Sequence, residues 1–419
     1  MAKDEELGAA PGQAGARVVL FSQRNIFRNV LFRCPHQEFE NVICQVDAAD
    51  MLAPSMDQRV RYQLAKRLAW HLPVALNPGL SQRGPQGHYD LFFAVCGSPV
   101  DLLTINTLGN FKDFAKVSIC LIDELWVTQL AAYAHMLKLL RKFDYVMLYY
   151  SQSVAAVERA VGRPCVFLPP GIDAAAFCPY PAPPERVVDL YSIGRRSEGT
   201  HEALLKMVAG GRFFYLHDSI AGDRSINGPE HRALFANVAK RSRYFIVNPA
   251  LIDRPSVRGD QSEIGNRYFE GAAAGTIMVG ERPHNDEFEK LFDWPEAVMD
   301  LPYGSGDIGS IIEKLDRDPE RQEKMRRNNV VNALRRHDWV YRWEEVLKVA
   351  GLEPGRGLLK RKQHLEQLAG AVTGTPGSRP DTRGNGRREG TESAGAYRVC
   401  GVGDGGNGRG LADRSLKKA

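Results

Sequence analysis

Between Ser262 and Gly275 the chain reads Ser-Glu-Ile-Gly-Asn-Arg-Tyr-Phe-Glu-Gly-Ala-Ala-Ala-Gly. Within that run Glu263, Arg267 and Glu270 are spaced by four and then by three positions. On a helix over 264–274 this spacing sets two carboxylates and a guanidinium near one face, with Asn266 beside them. Carboxylates accept from ribose hydroxyls, and an arginine neutralises phosphate with forked hydrogen bonds. The small residues Gly271 to Gly275 would let such a helix pack close to a sheet. The same letters also describe an amphipathic helix with a surface Arg267–Glu270 ion pair, which is common and weak. Taken alone, the stripe favours that plainer description.

Two other places carry comparable chemistry. In Leu190-Tyr191-Ser192-Ile193-Gly194-Arg195-Arg196 an apolar strand runs into a glycine and two arginines, just before a helix. Gly194 permits close backbone approach, and Arg195 and Arg196 can clamp a phosphate beside the helix N-terminus. A turn with two solvated arginines is the competing description. The apolar run Val117 to Ile122 ends in Asp123-Glu124-Leu125-Trp126. Either carboxylate could orient or deprotonate an acceptor hydroxyl, and Trp126 could stack on a sugar. Equally, Asp123 could cap the next helix and Trp126 could be core. Gly97-Ser98, Asn106 and Asn110 are further cleft candidates. His201, His217-Asp218, His231-Arg232 and Lys240-Arg241-Ser242-Arg243 read as structural or solvated residues. No Asp-x-Asp motif stands at a strand end, so no dedicated metal site is expected.

These residues must be positioned by alternating strands and helices. Strand-like runs cover 17–22, 41–46, 91–95, 117–122, 145–149 and 166–168. Helical stretches cover 58–72, 127–142 and 153–161, so the first half reads as βαβ units with a parallel sheet. The proline-dense Pro179 to Pro184 is the expected linker. A second series follows, with strands at 187–193, 212–216, 244–247 and 276–279. Its helices lie at 200–209, 230–239, 264–274, 308–315 and 320–334. Two Rossmann-like halves would face each other across a cleft, and ligands in such sheets bind beyond the carboxyl ends of the strands.

Composition sets the remaining limits. The 419 residues suffice for two domains and a tail, and 43% hydrophobic with 25% charged residues is ordinary for a globular protein. The net charge is +5, of which the tail from Ala371 carries +4, leaving +1 on the body. A near-neutral body argues against a nucleic-acid partner. The tail also holds twelve of the forty glycines and is expected to be disordered. The seven cysteines include no Cys-x-x-Cys pair, which points to a reduced compartment without disulfides. With no signal-like N-terminus and no membrane-spanning run, a cytoplasmic protein is expected, with peripheral contact to the inner face of a membrane left open.

Four motifs occur in order: Pro169-Pro170-Gly171-Ile172-Asp173, Ser192-Ile193-Gly194-Arg195-Arg196, Asn266 to Gly275, and His337-Asp338-Trp339-Val340-Tyr341-Arg342-Trp343. The set resembles the GT-B superfamily of glycosyltransferases, closest to the group-1-like branch that includes spore-maturation CgeB-type proteins. The resemblance is best from Val166 to Leu352 and weak over the N-terminal half. Composition sets apart a disordered 1–16, and the resemblance implies an acceptor-side domain over 17–178 and a donor-binding domain over 179–335. It further implies helices crossing back over 336–370, before the tail 371–419.

By the same resemblance, a sugar passes from a nucleoside-diphosphate donor to a hydroxyl on a glycan, lipid or small molecule, with retention and without a metal. No cofactor is implied beyond the donor itself. The resemblance sets Gly194 and Arg195 at the donor diphosphate and Glu270 at the ribose; residue type and position add Arg196, Glu263, Asn266 and Arg267 to the donor site and Asp123 and Glu124 as catalytic candidates. One departure touches Glu263. The common pattern separates two glutamates by seven residues, and here six lie between Glu263 and Glu270. A sugar-nucleotide epimerase on the same fold and a catalytically silent nucleotide-sugar-binding scaffold are the competing functions.

Overall fold

In the computed structural model the described residues are 15–374, apart from 28–29, 57–58, 72–77, 82–83, 86 and 219–226. They form two parallel sheets. The first has strands β1 (Val18–Phe21), β2 (Ala49–Leu52), β3 (Tyr89–Cys96), β4 (Ala115–Ile122), β5 (Tyr145–Leu148) and β6 (Cys165–Phe167), in the order β2-β1-β3-β4-β5-β6. The second has β7 (Val188–Ser192), β8 (Tyr215–His217), β9 (Ser242–Ile246), β10 (Ile277–Gly280) and β11 (Val298–Asp300), in the order β8-β7-β9-β10-β11. In each, the order reverses beside the first strand, which opens a crevice at the carboxyl ends. This is the two-domain Rossmann-like arrangement of the GT-B fold.

The central strands are apolar on both faces because both faces are covered. On one side of the first sheet Phe92, Phe111 and Phe143 pack ring to ring at 4.7–5.9 Å. On the other lie α1 (Cys34–Val46) and α9 (Trp339–Ala350), where Phe39 stacks on Trp339 at 4.8 Å. Helix α2 (Arg59–His71) and α3 (Val154–Val161) complete the first domain's helical layers. The second domain adds α4 (Glu198–Ala209), α5 (Gly228–Lys240), α6 (Asn266–Ala273), α7 (Ile308–Asp316) and α8 (Pro319–Arg336). Helix α10 (Arg356–Thr373) packs on α8 and α1.

Two local expectations are corrected. Asn41 to Val46 is not a strand but the end of α1, because Phe39, Val42, Ile43 and Val46 recur at helical spacing and are all buried. The stretch 127–142 is not one helix. It breaks into the 3₁₀ turn Val127–Gln129, the short helix Ala134–Leu137 and the 3₁₀ segment Lys138–Lys142.

The crossing-back helix is joined to the first domain by backbone as well as side chains. Ile172 N donates to His337 O at 3.0 Å, and Trp339 N donates to Ile172 O at 3.0 Å. A Cβ on Gly171 would lie 2.6 Å from the Trp339 ring, so only glycine lets the indole seat there. Asp338 caps α9 through the Val340 amide and pairs with Arg361 of α10. Of the stretches expected to be disordered, only 15–16 and 371–374 are described, and 371–373 form the last residues of α10. Among the described residues no helix is long and apolar enough to cross a membrane.

Candidate active site

The second domain's edge of the cleft is built at the end of β7. Gly194 has φ +88°, a value that favours glycine, and its N–H donates to Asp218 Oδ2 at 2.7 Å. The turn then presents both arginines. Arg195 pairs with Asp253 at 2.8 Å, and Arg196 donates to Asp218 O at 3.0 Å and contacts His217 Nδ1 at 3.2 Å. His217 and Asp218 thus brace the turn. Ser197 caps α4 immediately afterwards.

Ser192, Arg196, Thr200, Tyr215, Asn248, Gly280 and Tyr303 line a pocket open to solvent in this domain. Thr200, Asn248 and Tyr303 were not expected from the sequence. Thr200 lies in the first turn of α4 and the other two in separate loops, and only the fold makes them neighbours.

Helix α6 begins at Asn266, so Glu263 precedes it rather than belonging to it. Gly265 is extended there and sits too close to Asn248 O, at 2.9 Å, to admit a side chain. Arg267 and Glu270 remain on one face and are ion-paired. Arg267 also donates through Nε to Ile193 O at 3.3 Å and lies over the Phe235 ring at 4.9 Å. Its guanidinium therefore stands beside the Gly194 turn, at the carboxyl edge of the sheet.

Glu270 is different from the expected ribose ligand. It is 1% exposed, with one carboxylate oxygen on Arg232 Nη1 and the other on Arg267 Nη1. Burial would raise its pKa, but the charges of Arg267 and Arg232 outweigh burial and hold it below the ordinary carboxylate range. Arg232, read from sequence as part of a solvated face, is 6% exposed and completes this cluster. That correction has a simple cause: its carboxylate partner Glu38 lies 194 positions away.

Glu263 bridges the two domains. Its oxygens accept from the backbone N–H groups of Ser151 at 3.1 Å and Gln152 at 2.9 Å, ahead of α3. Gln261 Nε2 at 3.1 Å and Asn285 Nδ2 at 3.3 Å complete its surroundings. Burial pushes its pKa up to about 7, although these hydrogen bonds pull the other way. Gln152 Oε1 accepts from Ser262 N at 2.8 Å and extends the same seam.

On the first domain, Asp123 and Glu124 follow β4. Asp123 does not cap a helix; its Oδ2 lies 2.8 Å from His36 Nε2, at the start of α1. Tyr149 packs near His36, at 6.5 Å between ring centroids, and its buried hydroxyl has no hydrogen-bond partner among the described residues. Glu124 accepts from Trp126 Nε1 at 3.1 Å. Burial raises the Glu124 pKa, while the Trp126 bond and the charges of Arg195 and Arg254 lower it. Those two arginines belong to the second domain, so opposite charges oppose each other across the cleft.

Trp126 is fully buried and belongs to the core, not to a sugar-stacking face. Gly97 and Ser98 give their N–H groups to Asp101, itself paired with Arg33. Asn110 caps a 3₁₀ turn before β4, at the sheet edge opposite the cleft. The side chain of Asn106 lies outside the described residues.

A family model described as glycosyl transferase-like matches residues 198–348, from α4 into α9. No curated protein matches the chain. Among solved structures, similarity extends to Anabaena HepE in complex with UDP-glucose, at TM-score 0.46 and 10% identity, covering 80% of this chain and 99% of that one. An alpha-glucosyltransferase in complex with UDP and a 13-mer DNA gives TM-score 0.47 and 11% identity, over 81% of this chain and 100% of that one. A glycosyltransferase from Rickettsia africae gives 0.46 and 9%, over 82% and 98%.

Proposed function

We propose that the chain is a glycosyltransferase that moves a sugar from a nucleoside-diphosphate donor to a hydroxyl acceptor. One observation carries this reading. Arg195, Arg196 and Arg267 converge on the carboxyl edge of β7, and Arg195 lies within electrostatic reach of Glu124 at the end of β4 on the other domain. Preorganised arginines stabilise a diphosphate as its charge develops on leaving, which is the main electrostatic demand of the reaction. The pocket lined by Ser192, Thr200 and Asn248 would take the nucleoside, and Gly194 would admit the diphosphate close to the backbone.

Asp123, oriented by His36, would hold the acceptor hydroxyl, and Glu124 would contact the sugar or acceptor beside it. Glu263 and Asn266 would shape the donor side of the seam. Glu270, with both oxygens on arginines, would serve the donor through Arg267 rather than at the ribose. The arginines supply the charge compensation that supports a metal-independent reaction. Retention, and assignment to the group-1-like or CgeB-type branch, rest on the sequence resemblance. The thiols of Cys96, Cys120, Cys165 and Cys178 support a reducing compartment such as the cytoplasm. Exposed Val60 and Leu64 on the acid-free helix α2 support peripheral contact with an anionic membrane face.

The test is release of nucleoside diphosphate from each common nucleotide sugar, with simple hydroxyl compounds as acceptors. Wild type should release it with at least one pair, and Asp123→Asn should slow release about a hundredfold. The anomeric configuration of the product reads retention directly. Conversion of the donor sugar without release would instead assign an epimerase. Binding without turnover would assign a silent scaffold.

A further inference from the structure

Four charged side chains of alternating sign run through the interior from one domain to the other. The first is Glu38, on α1 of the acceptor side. Its Oε2 accepts from Arg232 Nε at 2.8 Å, and its Oε1 accepts from Asp173 N and from Trp339 Nε1, both at 2.8 Å. Arg232, on donor-side α5, gives Nη1 to Glu270 Oε1 at 2.5 Å. Glu270 gives its other oxygen to Arg267. Side-chain exposure along the chain is 8%, 7% and 2%, then 32% at Arg267. Only the last member reaches the cleft.

The packing keeps the chain in register. The Arg232 and Arg267 guanidiniums lie over the same Phe235 ring, at 5.4 Å and 4.9 Å, and Phe177 backs Arg232 at 4.9 Å. Buried charges of this kind are tolerated only when each is paired, and removing one partner leaves an uncompensated neighbour. Without Glu38, Arg232 is left to Glu270 alone and draws that carboxylate away from Arg267.

We propose that Glu38 and Arg232 are positioning residues for Arg267, so that contact between the domains and seating of the donor diphosphate are coupled. The proposal rests on the donor-site reading above. Coupling of this kind is reciprocal: diphosphate on Arg267 favours the domain contact, and the contact favours diphosphate.

The experiment is calorimetric titration of the full chain with UDP, GDP, ADP, CDP and dTDP, each separately. Five proteins are compared: wild type, Arg267→Ala, Glu38→Gln, Glu38→Asp, and Glu38→Gln combined with Arg267→Ala. Glu38→Gln should weaken binding of the preferred nucleotide about tenfold. In the Arg267→Ala background the same change should cost less than about twofold. Glu38→Asp keeps the charge and should retain most of the affinity; it also serves if the glutamine variant does not fold.

Equal weakening by Glu38→Gln in both backgrounds, or none in either, overturns the proposal and leaves the donor site standing. Unchanged binding in Arg267→Ala, or no binding of any of the five nucleotides, overturns the donor-site reading and the proposal with it.

Discussion

Substituting Glu263 should change the pH dependence of stability in a calculable way. Its carboxylate is buried at the seam between the domains and accepts from the Ser151 and Gln152 amides. Burial raises its pKa from 4.5 to about 7. Between those values the folded protein keeps a proton that the unfolded chain has released. Stability therefore falls as pH rises through this window, and the contribution is fully present below pH 4.5. At about 1.4 kcal/mol for each tenfold change in proton affinity, the loss across the window is roughly 3 kcal/mol.

Glu263→Gln cannot titrate. Its amide NH₂ would face a backbone N–H, which adds a cost that does not vary with pH. Urea unfolding of both proteins, in steps from about pH 4.5 to about pH 8, isolates the effect. The advantage of wild type over Glu263→Gln should shrink by roughly 3 kcal/mol as pH rises. Parallel profiles would refute the reasoning, because the carboxylate would then have the same proton affinity folded and unfolded.

Two further substitutions probe the frame around the site. Gly280→Ala places a Cβ 1.6 Å from Val247 O, at the end of β10 where the donor pocket is lined; it should cost at least about 3 kcal/mol in chemical denaturation. Trp339→Phe keeps the stack on Phe39 but removes the indole N–H that Glu38 accepts, and should cost about 1–2 kcal/mol by the same measurement.

Local signals explain how far the sequence could be read. The Gly194 turn was legible because a strand running into glycine and two arginines is written in adjacent letters. The helical spacing of Arg267 and Glu270 was legible for the same reason. Asn41 to Val46 misled because an apolar run of strand length also fits the end of an amphipathic helix, and only the upstream Phe39 and Glu38 distinguish the two. The buried role of Glu270 was hidden, since Arg232 and Glu38 reach it from distant positions. His36 offered no signal at all: nothing near Cys34 to Gln37 announces that Asp123 will sit 2.8 Å from its ring. Glu263 was judged by its distance from Glu270, whereas its place depends on amides of the other domain.

The most direct test of the donor cleft is a thermal-shift series with nucleotide sugars on the purified full chain. It requires no acceptor. A ligand at about a hundred times its Kd adds about 2.7 kcal/mol, enough to raise the melting temperature by a few degrees. At least one nucleoside-diphosphate sugar should do so in a concentration-dependent way, and Arg195→Ala should diminish the shift. A melting temperature unmoved by every nucleotide and nucleotide sugar would contradict the account.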